Sequence, residues 1–178
     1  MRRPVLFVCA ALLALSACGD VNEDRGTVPD PTTSPSSPTP SPAPTMPDQA
    51  KENSPEGAAA FVSYYVDLLN HAAGTGDVED LSRASGSECD SCRKYIEMYA
   101  STYEDGGYFE GGTWEPSNFE VDGRPDEADV FIKITAASGI SRSSAKSDEI
   151  ETEPYEDELV FEIARKDEWR VREIGATQ

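Results

Sequence analysis

The chain has 178 residues, with 15 Lys and Arg against 34 Asp and Glu, one His and four Cys. Once signal and linker segments are set aside, that is at most one domain. A net charge of −19 rules out nucleic-acid binding through phosphate contacts, which need clustered Lys and Arg, and argues against an electrostatic grip on anionic lipid heads. A single His excludes His-rich metal sites and His–His acid/base pairs.

Met1-Arg2-Arg3 is a short basic start, followed by the eleven apolar residues Val5 to Leu15. A membrane-spanning helix needs about 20, so this run reads as the apolar region of an export signal. Leu15-Ser16-Ala17-Cys18 comes directly after it and resembles the lipobox of bacterial lipoproteins. That resemblance implies cleavage before Cys18 and a diacylglycerol on its thiol. Two acyl chains anchor a protein durably without a basic patch, and Gly19 to Asp24 supplies none. The expected location is the cell membrane, lipid-anchored and facing away from the cytoplasm. Cleavage removes Arg2 and Arg3, so the net charge falls from −19 to −21.

Residues 26–55 hold nine of the 13 prolines and no aromatic residue. Such a stretch cannot bury enough surface to offset its ordering entropy. It reads as an extended Pro/Ser/Thr-rich tether, also a typical substrate for O-glycosylation. At about 3.1 Å per residue it reaches roughly 90 Å when fully extended. The expected domain plan is a signal at 1–17, a tether at 18–54 and one globular domain at 55–178.

The domain opens with Ser54-Pro55-Glu56, an N-cap, a first-position proline and a first-turn acid. Phe61, Tyr65, Leu68 and Ala72 follow at helical spacing, and Gly74-Thr75-Gly76 ends the helix. Asp77 to Leu81 reads as a short capped helix. Cys89 opens a third, with Ile96, Tyr99 and Tyr103 on its apolar face and Tyr95 and Met98 flanking it, and Gly106-Gly107 ends it.

Beyond Gly107 the apolar period switches to two. Trp114 to Val121 reads as a strand, with Pro116 marking an edge or bulge. Val130, Ile132 and Ile134 alternate with Phe131 on the opposite face; Tyr155, Leu159, Phe161 and Ile163 form the next strand, and Trp169, Val171 and Ile174 the last. Residues 139–153 read as a mobile polar loop. The predicted class is α+β: three N-terminal helices packed on one bent antiparallel sheet of about four strands.

Helices first, then a meander ending in Trp-Arg-Val-Arg-Glu-Ile, resembles the nuclear-transport-factor-2-like cone fold. Four features together, AFVSYYVDLLNHA, the TGD after it, the CDSC ahead of a helix, and Gly111 to Trp114, resemble an uncharacterised family of actinobacterial lipoproteins. The resemblance spans most of residues 50–178. It implies export and a cone-like sheet, and it carries over no catalytic residues.

Cys9 leaves with the signal and Cys18 is acylated, which leaves Cys89 and Cys92 in an oxidising compartment. A structural disulfide is the favoured reading. A redox pair at a helix N-terminus is the alternative, but it lacks a thioredoxin-like βαβ context. Zinc needs four ligands, and only His71 remains to join the two thiols. His71 sits near the end of the first helix, where the dipole stabilises it; in cone-fold isomerases and dehydratases such a residue acts as general acid or base. Asp148 to Glu158 holds seven carboxylates and no base, without the Asp/Asn-Gly pattern of a calcium loop. No catalytic, cofactor-binding or metal-binding set is assembled, and no cofactor is expected.

The function class expected is a non-catalytic, membrane-tethered binding or interaction module, with a small cone-fold enzyme and a Cys-x-x-Cys redox helper as alternatives. Its expected partners are the membrane, through Cys18, and a cell-envelope protein or small ligand. Tyr65, Trp114, Phe131 and His71 are the candidate pocket residues.

Overall fold

The computed structural model describes residues 41–177. Cys18, the predicted signal and most of the predicted tether lie outside them. Among the described residues, no helix is long and apolar enough to cross a membrane.

Helix α1 spans Pro55–Thr75, and Ser54 caps it by accepting a hydrogen bond from the Gly57 amide at 3.0 Å. Its C-terminus turns on Gly76, at φ 76°. A side chain there would also strike the Tyr103 ring, whose nearest atom would stand 2.5 Å from the added Cβ, so glycine is required twice over. Helix α2 is Glu79–Ala84, and the Asp77 carboxylate accepts from the Glu79 amide just ahead of it. Helix α3 is Asp90–Glu104, with Cys89 at its N-cap.

Seven strands follow: β1 Tyr108–Gly111, β2 Trp114–Arg124, β3 Glu127–Ala136, β4 Gly139–Arg142, β5 Ile150–Thr152, β6 Tyr155–Arg165 and β7 Trp169–Ala176. The long strands form an antiparallel sheet in the order β2-β3-β6-β7, and the short ones a second antiparallel sheet in the order β1-β4-β5.

The α+β order of helices before strands holds, but the expected single bent, cone-like sheet of about four strands does not. The four long strands are the expected ones. The correction is the second sheet, and two of its strands, β4 and β5, lie inside the segment read as a mobile loop. Strands of three or four residues, rich in Gly, Ser and Glu, are too short and too polar to show a period of two. Proline behaves as expected: β2 is an edge strand, and its register slips between Ser117 and Glu120, just after Pro116, with Asn118 at φ 54°.

One face of the large sheet carries the core. Val130, Ile132, Ile134, Phe161, Ile163 and Val171 point at the helices and are buried. Helix α1 meets them with Phe61, Val62, Tyr65, Val66, Leu68 and Leu69, all nearly inaccessible. Removing such side chains from water is the main stabilising contribution, at about 25 cal/mol per Å² of apolar surface.

Ordered packing begins ahead of Pro55. A 3₁₀ turn at Asp48–Lys51 buries Ala50, and Met46 packs against the core. The Trp169 indole donates to the Glu52 carbonyl at 3.0 Å, and Gly57 lets the backbone of this segment pass close to α1. Composition alone hid this, because the segment is held by partners far along the chain.

Candidate functional site

Cys89 and Cys92 form a disulfide across the start of α3. Both residues are almost wholly buried, and the Cys92 amide donates to Cys89 Sγ at 3.1 Å. Nearby, the Ile174 amide donates to Ser91 Oγ at 2.8 Å and the Gly86 amide to the Val171 carbonyl at 2.7 Å. The bridge therefore sits where the α2–α3 connection is laid along the edge of β7. Burial leaves an incoming thiolate little access to the sulfurs, which thiol exchange requires.

The four residues singled out as pocket candidates are not brought together. Tyr65 is fully buried; its hydroxyl shares a 2.8 Å hydrogen bond with Ser85 Oγ, and its ring meets Phe161 edge-on at 6.0 Å. Burial pushes its pKa well above the usual tyrosine value. Phe131 lies on the outer face of the large sheet, opposite Glu120 and Val160. His71 is at the C-terminal end of α1, its Nε2 buried without a hydrogen-bond partner and 3.8 Å from Asp77 Oδ2. That separation is beyond hydrogen-bond distance, so Asp77 does not fix the orientation of the imidazole through a hydrogen bond. Trp114 alone stands in a cluster with exposed edges.

That cluster is built on α3. Tyr95 and Tyr99 are four residues apart and so share one helix face, with ring centroids 6.2 Å apart. Trp114, at the start of β2, meets Tyr95 edge-on at 5.9 Å, and Phe109 of β1 meets Tyr99 edge-on at 5.4 Å. Such pairs contribute about 0.5–1.5 kcal/mol beyond their buried area. Asn70 of α1 fixes the backbone of Trp114. Its Nδ2 donates to the Trp114 carbonyl and its Oδ1 accepts from the Trp114 amide, both at 2.9 Å. The side-chain amide thus imitates one more strand partner.

The register of the large sheet completes the arrangement. Trp114 pairs with Ala136, and Ala136 with Tyr155, so the three side chains share the helix-facing side. In the next row of that side, Pro116 pairs with Ile134 and Ile134 with Asp157. Ile134 and Ala136 are buried while Tyr155 and Asp157 are exposed, because the sheet runs past the end of its helical cover. Burial first, then the proximity of Tyr155 and Asp157, raises the Tyr95 pKa. Burial likewise raises that of Tyr99, with Tyr95, Tyr155 and Tyr65 adding to it. Tyr95, Tyr99 and Tyr155 therefore lie near one another, with Asp157 near Tyr95.

Sequence reading placed Tyr95 only beside the apolar face of its helix and missed Asn70, Tyr155's role and Asp157. A signal for Asn70 was present: it is a polar residue inside the apolar run of α1. Asp157 was masked by its acidic neighbours.

A cleft of about 410 Å³ lined by Glu110, Ile140, Glu151 and Glu153 adjoins this region through the chain, just before Trp114 and Tyr155. A second cleft, of about 610 Å³, opens at the other end of β6 among Arg165, Lys166, Arg170, Glu88, Asp167 and Glu168. Its charges nearly cancel. Among the described residues, no group of three His, Cys, Asp or Glu is arranged to hold a metal ion.

The fold is similar to that of the intermembrane space region of the chloroplast protein ARC6, at TM-score 0.54 and 14% identity, covering 69% of this chain and 95% of that one. A protein of unknown function with a cystatin-like fold from Nostoc punctiforme matches at TM-score 0.42 and 11% identity, covering 66% of this chain and 89% of the other. The first likeness shows a shared fold and nothing about activity. No curated protein matches the sequence. Residues 30–173 match the family of unknown function DUF6318, and the chain belongs to that family.

Proposed function

We propose that the chain is an extracytoplasmic binding module, held to a membrane by lipid on Cys18 and carried on a tether that ends at the packed segment near Met46. The binding surface is the open end of the large sheet's inner face, formed by Tyr95, Trp114, Tyr155 and Asp157. One observation carries the reading: Tyr155 and Asp157 stand exposed on the helix-facing side of the sheet, in the row of the half-buried Trp114 and the row next to it, and Trp114 packs against Tyr95 of α3. Aromatic residues with a few placed polar groups are the usual composition of a ligand site. The lipobox-like Leu15 to Cys18 supports the anchor, and a Pro-rich spacer serves reach.

Cross-linking in intact cells, followed by pull-down of the wild-type chain and of a Tyr155→Ala/Asp157→Asn variant, tests the site. Both positions are exposed, so the variant folds. Capture is expected to fall in the variant, and equal capture overturns the site. For the anchor, Cys18→Ala is expected to move the protein from the membrane fraction into the medium or into uncleaved precursor. An unmodified mature N-terminus in mass spectrometry contradicts it.

A further inference from the structure

Resting on that reading of the site, we infer that the aromatic surface of Tyr95, Trp114 and Tyr155 takes a small organic cation, an alkylated ammonium group in particular, with Asp157 as its counter-charge.

Electron-rich ring faces attract a cation placed over them, and the attraction grows as water is displaced. Tyr95 and Trp114 stand at right angles to one another with centroids 5.9 Å apart, and Tyr155 lies in the same cross-strand row as Trp114, two strands away. Asp157 occupies an inward register position one row away, beside buried Ile134. No Lys or Arg lies within ion-pair distance of it among the described residues, although Lys133, on the outer face, pairs with Glu156 at 2.7 Å. The carboxylate therefore has no cation of the chain's own on the inner face.

The surroundings carry the same sign. The adjoining 410 Å³ cleft is lined by Glu110, Glu151 and Glu153 with no basic residue. Residues 148–158 contain seven carboxylates and no base. Acidic walls raise the local concentration of a cation and repel an anion. Acidity alone would suit a metal ion equally, but the rings discriminate: a hydrated metal ion gains little from them, whereas alkyl groups on nitrogen shed water readily and pack on the rings.

Choline and its uncharged isostere 3,3-dimethylbutanol separate the charge from the shape. The full-length chain is titrated in detergent micelles while the two indole N–H resonances are followed by nitrogen-15 NMR. Trp169 is buried and serves as the internal reference. Choline is expected to shift Trp114 and not Trp169, saturating at about millimolar concentration, and Asp157→Asn is expected to weaken binding roughly fivefold. Equal shifts from the isostere, or unchanged affinity in Asp157→Asn, overturn the cation assignment while leaving the site in place. An inert Trp114 with choline, together with a shift from an Arg-rich tripeptide, overturns it in favour of a protein partner. Failure of the site itself is read separately: in the Tyr155→Ala/Asp157→Asn variant neither choline nor its isostere is expected to shift Trp114, and shifts equal to those of the wild type overturn the site.

Discussion

Helices α1 and α3 both belong to the helical layer, yet they are used differently. Of the 21 residues of α1, ten are buried, including six large side chains sealed against the sheet. Of the 15 residues of α3, three are buried, and one of those is half of the disulfide. α3 instead carries Tyr95, half-buried between Tyr99 and Trp114. The core and the proposed site thus draw on different helices. α1 specifies the core through volume, while α3 displays chemistry and is held down by local fasteners: the disulfide at its start and the Tyr103 hydroxyl donating to the Ala73 carbonyl at 2.8 Å near its end.

The sharpest way to break this contrast is to cut the core under α1. Phe161→Ala removes a fully buried ring that meets Tyr65 edge-on, and an expected loss of about 3–5 kcal/mol follows. Urea denaturation checks it, and a loss below about 1 kcal/mol would contradict a packed interior here.

Alkaline pH bears on both helices. An unfolded tyrosine ionises near pH 10, whereas burial holds Tyr65, Tyr95 and Tyr99 protonated to higher pH in the folded chain. Their contribution is complete below about pH 10 and is lost as pH rises through the raised folded values, because the unfolded state then binds fewer protons. The denaturation midpoint is expected to stay level to about pH 9 and fall above about pH 10, less steeply in Tyr99→Phe. A level midpoint through the alkaline range would contradict the burial of these rings.

Two smaller effects sharpen the contrast at the fasteners. Replacing both Cys89 and Cys92 by Ser is expected to lower stability by about 2 kcal/mol, since the loop they close is short, and to leave the circular dichroism spectrum native. Collapse of the fold would show that α3 depends on the bridge far more than a short loop allows. Asn70→Ala leaves the Trp114 amide and carbonyl without partners, at an expected cost of about 1–3 kcal/mol, and its specific mark is a red-shifted tryptophan emission. Unchanged emission would mean that Asn70 does not position Trp114.

How much was legible in the sequence follows from the length of each pattern. Helix α1 and strands β3, β6 and β7 were readable because burial writes an apolar repeat over eight or more residues. The caps of α1 at Ser54 and Gly76 were readable because each solves a local hydrogen-bonding or steric need. The sheet of β1, β4 and β5 was hidden, since strands of three or four polar residues carry no repeat and gain their partners only through the fold. The Cys pair was readable by elimination. The pocket was not: Tyr65 and Phe131 are both aromatic and both strand- or helix-borne, yet packing put one in the core and the other on the outer face. Trp114 became part of the site through Asn70, 44 residues earlier in the chain, a contact no local pattern announces.

The central claim is that recognition occurs on the aromatic end of the inner face and not on the outer face of the same sheet. Tyr155 and Phe131 give a matched pair of probes, being 39% and 36% exposed on opposite faces. A photo-activated cross-linking residue placed at either position in the full-length chain, irradiated in intact cells, decides between them. An adduct is expected from position 155 and none from position 131; an adduct from position 131 alone places recognition on the outer face and overturns the proposed site.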